Sequence, residues 1–273
     1  MGSSHGPWNA ATEHFSVDVP PWRVASLAPH LTETLLDLDL GDRLIAVTDA
    51  CAAPAMGVQS WVRIGGARQP DIDAIVAQGP DLVLLSADEN RQQDVDALRS
   101  AGLSVWVIGP RTVFDTLNLL WDLMRVFDHA VMVPRVRELE RAAEYTEAAA
   151  AGTTPVRVFA PLVRGDWTTF NRETYAHDVL RVCGGRNVFG DRAARYPTVT
   201  SAEVEDAQPD VVLLPDDPVL FSEADIDIIR ALDIPAAAHD RFYRLDHTLL
   251  TWQGTRLAFA LRDLPPLLVG DGE

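Results

Sequence analysis

Two stretches of this chain follow one plan. DIDAIVAQGPDLVLLSADEN (residues 71–90) and SAEVEDAQPDVVLLPDDPV (residues 201–219) each read as a short helix, a Pro-Asp pair, a four-residue apolar strand and an acidic loop. A short apolar strand cannot stand alone. It needs neighbouring strands and helices over both faces, so a plan used twice predicts two α/β lobes rather than one continuous sheet.

The rest of the sequence fits that division. RVASLA (23–28), LIAVTD (44–49), DLVLLS (81–86) and SVWVIG (104–109) read as buried strands. Between them lie helical patterns at about 32–38, 71–78 and 91–102, with Gly41 and Gly102 placed as left-handed stops. Pro29 and His30 read as a loop before the first helix. From Thr112 the spacing becomes helical, and VMVPRVRELERAAEYTEAAAAG predicts a long helix over 131–151, about 30 Å at ~1.5 Å per residue. Pro134 is tolerable there only near the first turn. Alternation then resumes with VRVFAPLV (156–163), a helix over 173–183 closed by Gly184-Gly185, DVVLLP (210–215), a helix over 223–232 and RFYRLD (241–246). The last helix is expected from about Gln253. The predicted organisation is an extension over 1–22, an α/β lobe over 23–128, a linking helix over 129–152 and a second α/β lobe over 153–273.

Charge excludes several classes of partner. Lys and Arg number 23 against 40 Asp and Glu, a formal charge of −17, which opposes nucleic acid and anionic membrane surfaces. No apolar run approaches the ~20 residues of a membrane-spanning helix. Two cysteines, Cys51 and Cys183, make neither a disulfide framework nor a Cys-rich zinc site. The N-terminus lacks a basic segment followed by an apolar one. The chain is therefore expected to be cytoplasmic if Met1 is the native start, and periplasmic or otherwise extracytoplasmic if a leader has been removed. Motifs for a nucleophile elbow, a phosphate loop, a dinucleotide fingerprint or an H-E-x-x-H zinc site are missing, so no enzyme is expected.

RVASLAPHLTETLLDLDLGDRLIAVTDACAAP, IGGARQPDIDAIVAQGPDLVLL and CGGRNVFGDRAARYPTVTSAEVEDAQPDVVLL, in this order and spacing, resemble the helical-backbone (class III) substrate-binding proteins of ABC importers. The similarity runs over residues 23–264 and is nearest to the cobalamin-binding branch. It implies two Rossmann-like lobes with parallel sheets, joined by one long helix, with a ligand in the cleft between them. The implied ligand is cobalamin or a similar metal chelate, held by a protein with no intrinsic cofactor that acts as a monomer. An importer permease is the implied protein partner.

Ligands of open α/β sheets sit outside the carboxyl ends of the strands. In the first lobe those loops carry His30, Ala50, Cys51, Ala67, Arg68 and Ser86; in the second they carry Trp167, Phe170, Asn171, Tyr196, His247 and Trp252. Trp167 and Phe170 either wall a site or cover the start of the following helix. Tyr196 and Trp252 stand where the family contacts ligand; the bland reading is turn packing and a lid on a helix start. His30 is a candidate ligand for cobalt or iron, or a loop histidine bonded to its surroundings; His247 faces the same choice. Cys51 is either a soft metal ligand or a buried apolar residue. Arg68 holds a ligand anion or a neighbouring carboxylate. Several relatives carry a tyrosine at the position of Ala50 and an aromatic at that of Ala67 or Ser86, so the resemblance implies a roomier first-lobe face here or a different ligand. The family's permease-docking glutamates correspond to Asp73 and, one residue displaced, Glu203.

The expected function is non-enzymatic capture of a corrinoid. An iron-siderophore or haem receptor is the alternative within this class. A cytoplasmic corrinoid-handling or sensing protein is the alternative outside it.

Overall fold

In the computed structural model, which describes residues 11–51, 61–163, 167–216 and 221–269, the alternation read from the sequence builds two parallel sheets, one in each of two units. The first unit holds the chain up to Pro110, together with Asp115–Arg137 and Gln253–Thr255. The second holds Arg111–Phe114, Glu138–Trp252 and the chain from Arg256 onward.

In the first unit the elements are β1 (Val24–Ser26), α1 (Pro29–Asp37), β2 (Leu44–Val47), β3 (Val62–Arg63), the hairpin β4 (Gly65–Gly66) and β5 (Gln69–Pro70), α2 (Ile72–Gln78), β6 (Leu82–Ser86), α3 (Gln92–Ser100), β7 (Val105–Ile108) and α4 (Val113–Val126). The sheet order is β3-β2-β1-β6-β7, all parallel. Every residue of β1, β6 and β7 is buried, as expected of strands covered on both faces. Ala25, Leu27, Val83, Leu85, Val95 and Val107 belong to its core. The extension continues this unit. Glu13 N donates to Val107 O, Trp106 Nε1 donates to Glu13 O, and Phe15 stacks on Trp106 at 5.2 Å, so the outer edge of β7 is covered.

Apart from Arg111–Phe114, the second unit takes up the chain at Glu138, within the long helix α5 (Val133–Ala150). The helix has 18 residues, about 27 Å at ~1.5 Å each, and Pro134 falls in its first turn. Then come β8 (Val156–Phe159), α6 (Tyr175–Val182), β9 (Gly185–Asn187), α7 (Ser201–Ala207), β10 (Val211–Pro215), α8 (Glu223–Arg230), α9 (Pro235–Ala238), β11 (Phe242–Leu245), α10 (Thr248–Thr251) and α11 (Leu257–Asp263). The order β11-β10-β8-β9 is again parallel throughout.

The repeated Pro-Asp pair does the same work in both units. Asp81 Oδ2 accepts from Arg23 N and Asp210 Oδ2 accepts from Arg157 N, at 3.0 and 2.9 Å. The same two aspartates donate their own N–H to Arg23 O and Arg157 O. Each pair thus opens an apolar strand and pins the start of its parallel neighbour.

Several local expectations need correction. Pro29 and His30 form the first turn of α1, because proline is pre-shaped for a helix start and needs no N–H there. Gly41 does not end α1; the helix stops at Asp37 and Asp39 takes the left-handed conformation, φ 58°. Gly185 is the first residue of β9 rather than part of a cap. Residues 248–251, read as loop, form α10.

Candidate functional site

At the carboxyl ends of the first sheet, one side chain organises the loops. Asn90 Oδ1 accepts from Ser86 N at 2.7 Å, while Nδ2 donates to Leu27 O at 3.0 Å and to Ala67 O at 2.7 Å. It therefore ties the ends of β1 and β6 to the tip of the β4–β5 hairpin, where Arg68 is exposed. Asn90 is 3% exposed, so these bonds carry the full cost of desolvation if broken. Ser86 is buried beside it.

His30 is also enclosed, its side chain 1% exposed, and Nδ1 lies 2.8 Å from Glu89 Oε1. Cys51 is a buried thiol 3.1 Å from the hydroxyls of both Thr32 and Thr48. Arg63 Nη1 donates to Thr48 O and Cys51 O, holding that loop closed, while Ala50 stands exposed between them. Gln253 Nε2 donates to Asp88 Oδ2 at 3.3 Å. Asp73 is exposed in the first turn of α2, whose N-cap is Asp71.

In the second unit the loop that follows β8 is a backing ribbon. Val199 N donates to Trp167 O, Thr169 N to Pro197 O and Asn171 N to Arg195 O. These rungs make the 167–171 segment the support of the Arg195-Tyr196-Pro197 turn. Trp167 packs in the unit's core, stacked on Phe221 at 6.4 Å, and Phe170 is fully buried. Asn171 gives Nδ2 to Arg192 O and takes Glu173 N on Oδ1, which shapes the entry into α6. Asn187 Nδ2 donates to Phe170 O at 2.7 Å. Tyr196 is partly exposed on this support, with the Arg195 guanidinium 5.5 Å from its ring centre.

After β10 and β11 stand Asp216, Asp246, His247 and Trp252. His247 and Trp252 meet edge to face, centroids 6.2 Å apart at 86°. Potential ligand atoms of Asp216, Asp246 and His247 lie within 4.8 Å of one another. Asp246 is already engaged by Arg256 at 2.8 Å and by Thr248, so the group is built as an ion-pair network. Burial raises the Asp246 carboxyl, but the Thr248 hydroxyl and N–H, with Arg256 and His247, outweigh it and hold it below the ordinary carboxylate value. Arg256 escaped sequence reasoning because it sits in no motif.

Glu203 is committed to its own helix. It closes a capping box with Thr200 and pairs with Arg192 at 2.6 Å. The Thr200 N–H, then the Thr200 hydroxyl and Arg192, lower its carboxyl below the ordinary value. Burial pushes the Cys183 thiol up to about 12, which keeps it unreactive under α11. Among the described residues no helix is long and apolar enough to cross a membrane.

No family model matches the chain. It is 29% identical over 194 residues to a vitamin B12-binding protein of Vibrio parahaemolyticus, covering 71% of this chain and 70% of that one. It is 28% identical over 207 residues to a vitamin B12-binding protein of Pectobacterium atrosepticum, covering 71% of each. Among solved structures, the periplasmic vitamin B12-binding protein of Vibrio cholerae superposes with a TM-score of 0.78 at 22% identity, over 91% of this chain and 96% of that one. A periplasmic haem-binding protein of Roseiflexus sp. RS-1 gives 0.74 at 22% identity, over 90% and 97%. Ordered motifs, paired parallel sheets and these comparisons agree: the chain is similar to vitamin B12-binding proteins and shares the two-lobed α/β fold of their solved member.

Proposed function

We propose that this protein is a non-enzymatic receptor for a corrinoid such as cobalamin. The observation that carries the reading is the run of curated vitamin B12-binding relatives, 26–29% identical over most of their length. The haem-binding neighbours share the fold at lower identity, 22–23%. A strongly acidic chain also suits a corrinoid better than an anionic ferric chelate.

In this reading each unit offers binding residues in its strand-end loops. Tyr196 and Trp252 supply apolar faces in the second unit, with His247 beside Trp252. Ala50, Ala67 and Arg68 are the accessible candidates in the first. Ser86, Cys51, Trp167, Phe170 and Asn171 are buried, so their part is to shape the loops. His30 acts through Glu89, and cobalt is captured without a protein ligand. Binding free energy comes from burying the macrocycle's apolar surface, about 25 cal/mol per Å², less the cost of immobilising it. The periplasmic relatives support an extracytoplasmic place, and delivery to an importer permease would use Asp73 and Glu203. With Glu203 held by Thr200 and Arg192, docking there requires that the Arg192 pair open.

Titration with cobalamin, haem and a ferric siderophore, followed by calorimetry and visible absorbance, tests this reading. Cobalamin should bind most tightly, with no shift in its spectrum. Tyr196→Ala and Trp252→Ala should each cost about 1–3 kcal/mol. Tighter capture of haem would overturn the corrinoid reading, and a spectral shift abolished by His30→Ala would overturn unliganded cobalt.

A further inference from the structure

Arg256 ends a short 3-10 turn, Gly254–Arg256, that runs directly into α11. Its side chain turns away from that helix, to the end of β11 and the start of α10.

The engagement forms a closed ring. Arg256 Nε donates to Thr248 Oγ1 at 2.8 Å and Nη2 donates to Asp246 Oδ2 at 2.8 Å. The Thr248 hydroxyl donates onward to Asp246 Oδ1, which also accepts the Thr248 N–H at 2.9 Å. Each member is thus fixed by the other two. The guanidinium sits 5.8 Å from the centre of the Trp252 ring and 4.9 Å from that of Phe259. The His247 ring meets the same indole edge to face. Trp252 itself closes the four-residue helix α10 and is only partly buried.

We infer that Arg256 is a positioning residue: locked by Asp246 and Thr248, it fixes the Trp252 indole in the orientation that meets the ligand. This rests on the corrinoid reading, with Trp252 as an anchor. A guanidinium suits the task where an ammonium does not. Its planar fork bonds Thr248 and Asp246 together and still offers a flat cation to the ring. A fixed indole loses no rotamer freedom on binding, so affinity gains what ordering would otherwise cost.

The test is a double-mutant cycle on the full chain, titrated with cobalamin and checked for folding by thermal unfolding. Arg256→Gln should weaken binding about tenfold, and Arg256→Lys should restore little of it. In a Trp252→Ala background, Arg256→Gln should cost nothing further. Thr248→Val, which removes one corner of the ring, should reproduce part of the loss and stands in if Arg256→Gln does not fold. Full affinity in Arg256→Gln while Trp252→Ala binds weakly would overturn the inference. So would an undiminished Arg256→Gln loss in the Trp252→Ala background, which would mean a direct or general structural role. If Trp252→Ala binds as tightly as the parent, or the parent binds no corrinoid, the functional reading itself fails and the positioning role falls with it.

Discussion

The two units solve one problem by different means. Both must hold loops steady at the carboxyl ends of a parallel sheet. The first does it with side chains: Asn90 reaches three loops, His30 pairs with Glu89, and two threonine hydroxyls surround Cys51. The second does it with backbone and rings: three main-chain rungs join 167–171 to 195–199, and Trp167 roots the ribbon in the core. A side-chain hub concentrates stability in one residue, whereas a backbone ribbon spreads it over several. The first arrangement is therefore the more fragile to single substitutions.

The largest effect should fall where the first unit takes back residues 253–255. Gly254 has φ 86°, and a Cβ there would stand 2.0 Å from Thr34 Oγ1, on α1. Gly254→Ala should destabilise the first unit by about 3 kcal/mol or more, since strain and clash add. Hydrogen exchange should find the loss in α1 and spare β8–β10.

The hub comes next. Asn90→Ala leaves one N–H and two carbonyls without their side-chain partner and should cost about 3 kcal/mol. Asn187→Ala, which loses its bonds to Phe170 O and Phe189 N, should cost about 2. Urea unfolding measures both. Equal losses would mean that the two units are equally tolerant.

A smaller test uses the repeat itself. The helices α2 and α7 end on the same left-handed residue, Gly79 at φ 56° and Gln208 at φ 48°. Gly79→Gln should destabilise by about 1 kcal/mol. Gln208→Gly should change little, because the strain it relieves is offset by the lost bonds from Gln208 Nε2 to Glu205 O and Asp233 O.

The smallest effect is a pH dependence confined to the second unit. Burial lowers the affinity of His177 for a proton, against the pull of Asp178. As pH falls through the ordinary imidazole value of about 6.5, the unfolded chain takes up a proton that the folded unit resists. Stability should therefore decline in that window, and His177→Gln should flatten the decline.

Much of the fold was legible because it is a local matter. The Pro-Asp repeat, the four-residue apolar strands and the Ala-Glu-Arg helix each state their own structure, and periodicity alone places them. Two parallel sheets and one long helix between them follow from that order. The strand-end loops were located in the same way, since each lies just past a strand. What those loops do with their side chains was decided by the tertiary structure. Trp167 and Phe170 read equally well as a wall or as a lid; the structure buries both. The bonding roles of Asn90, Thr248 and Arg256 were not legible, because a hydrogen-bond hub can be made by partners distant in sequence: Asn90 reaches back 63 residues to Leu27. Local pattern fixes which segments become strands and helices; only folding brings a polar side chain to the carbonyls it must satisfy.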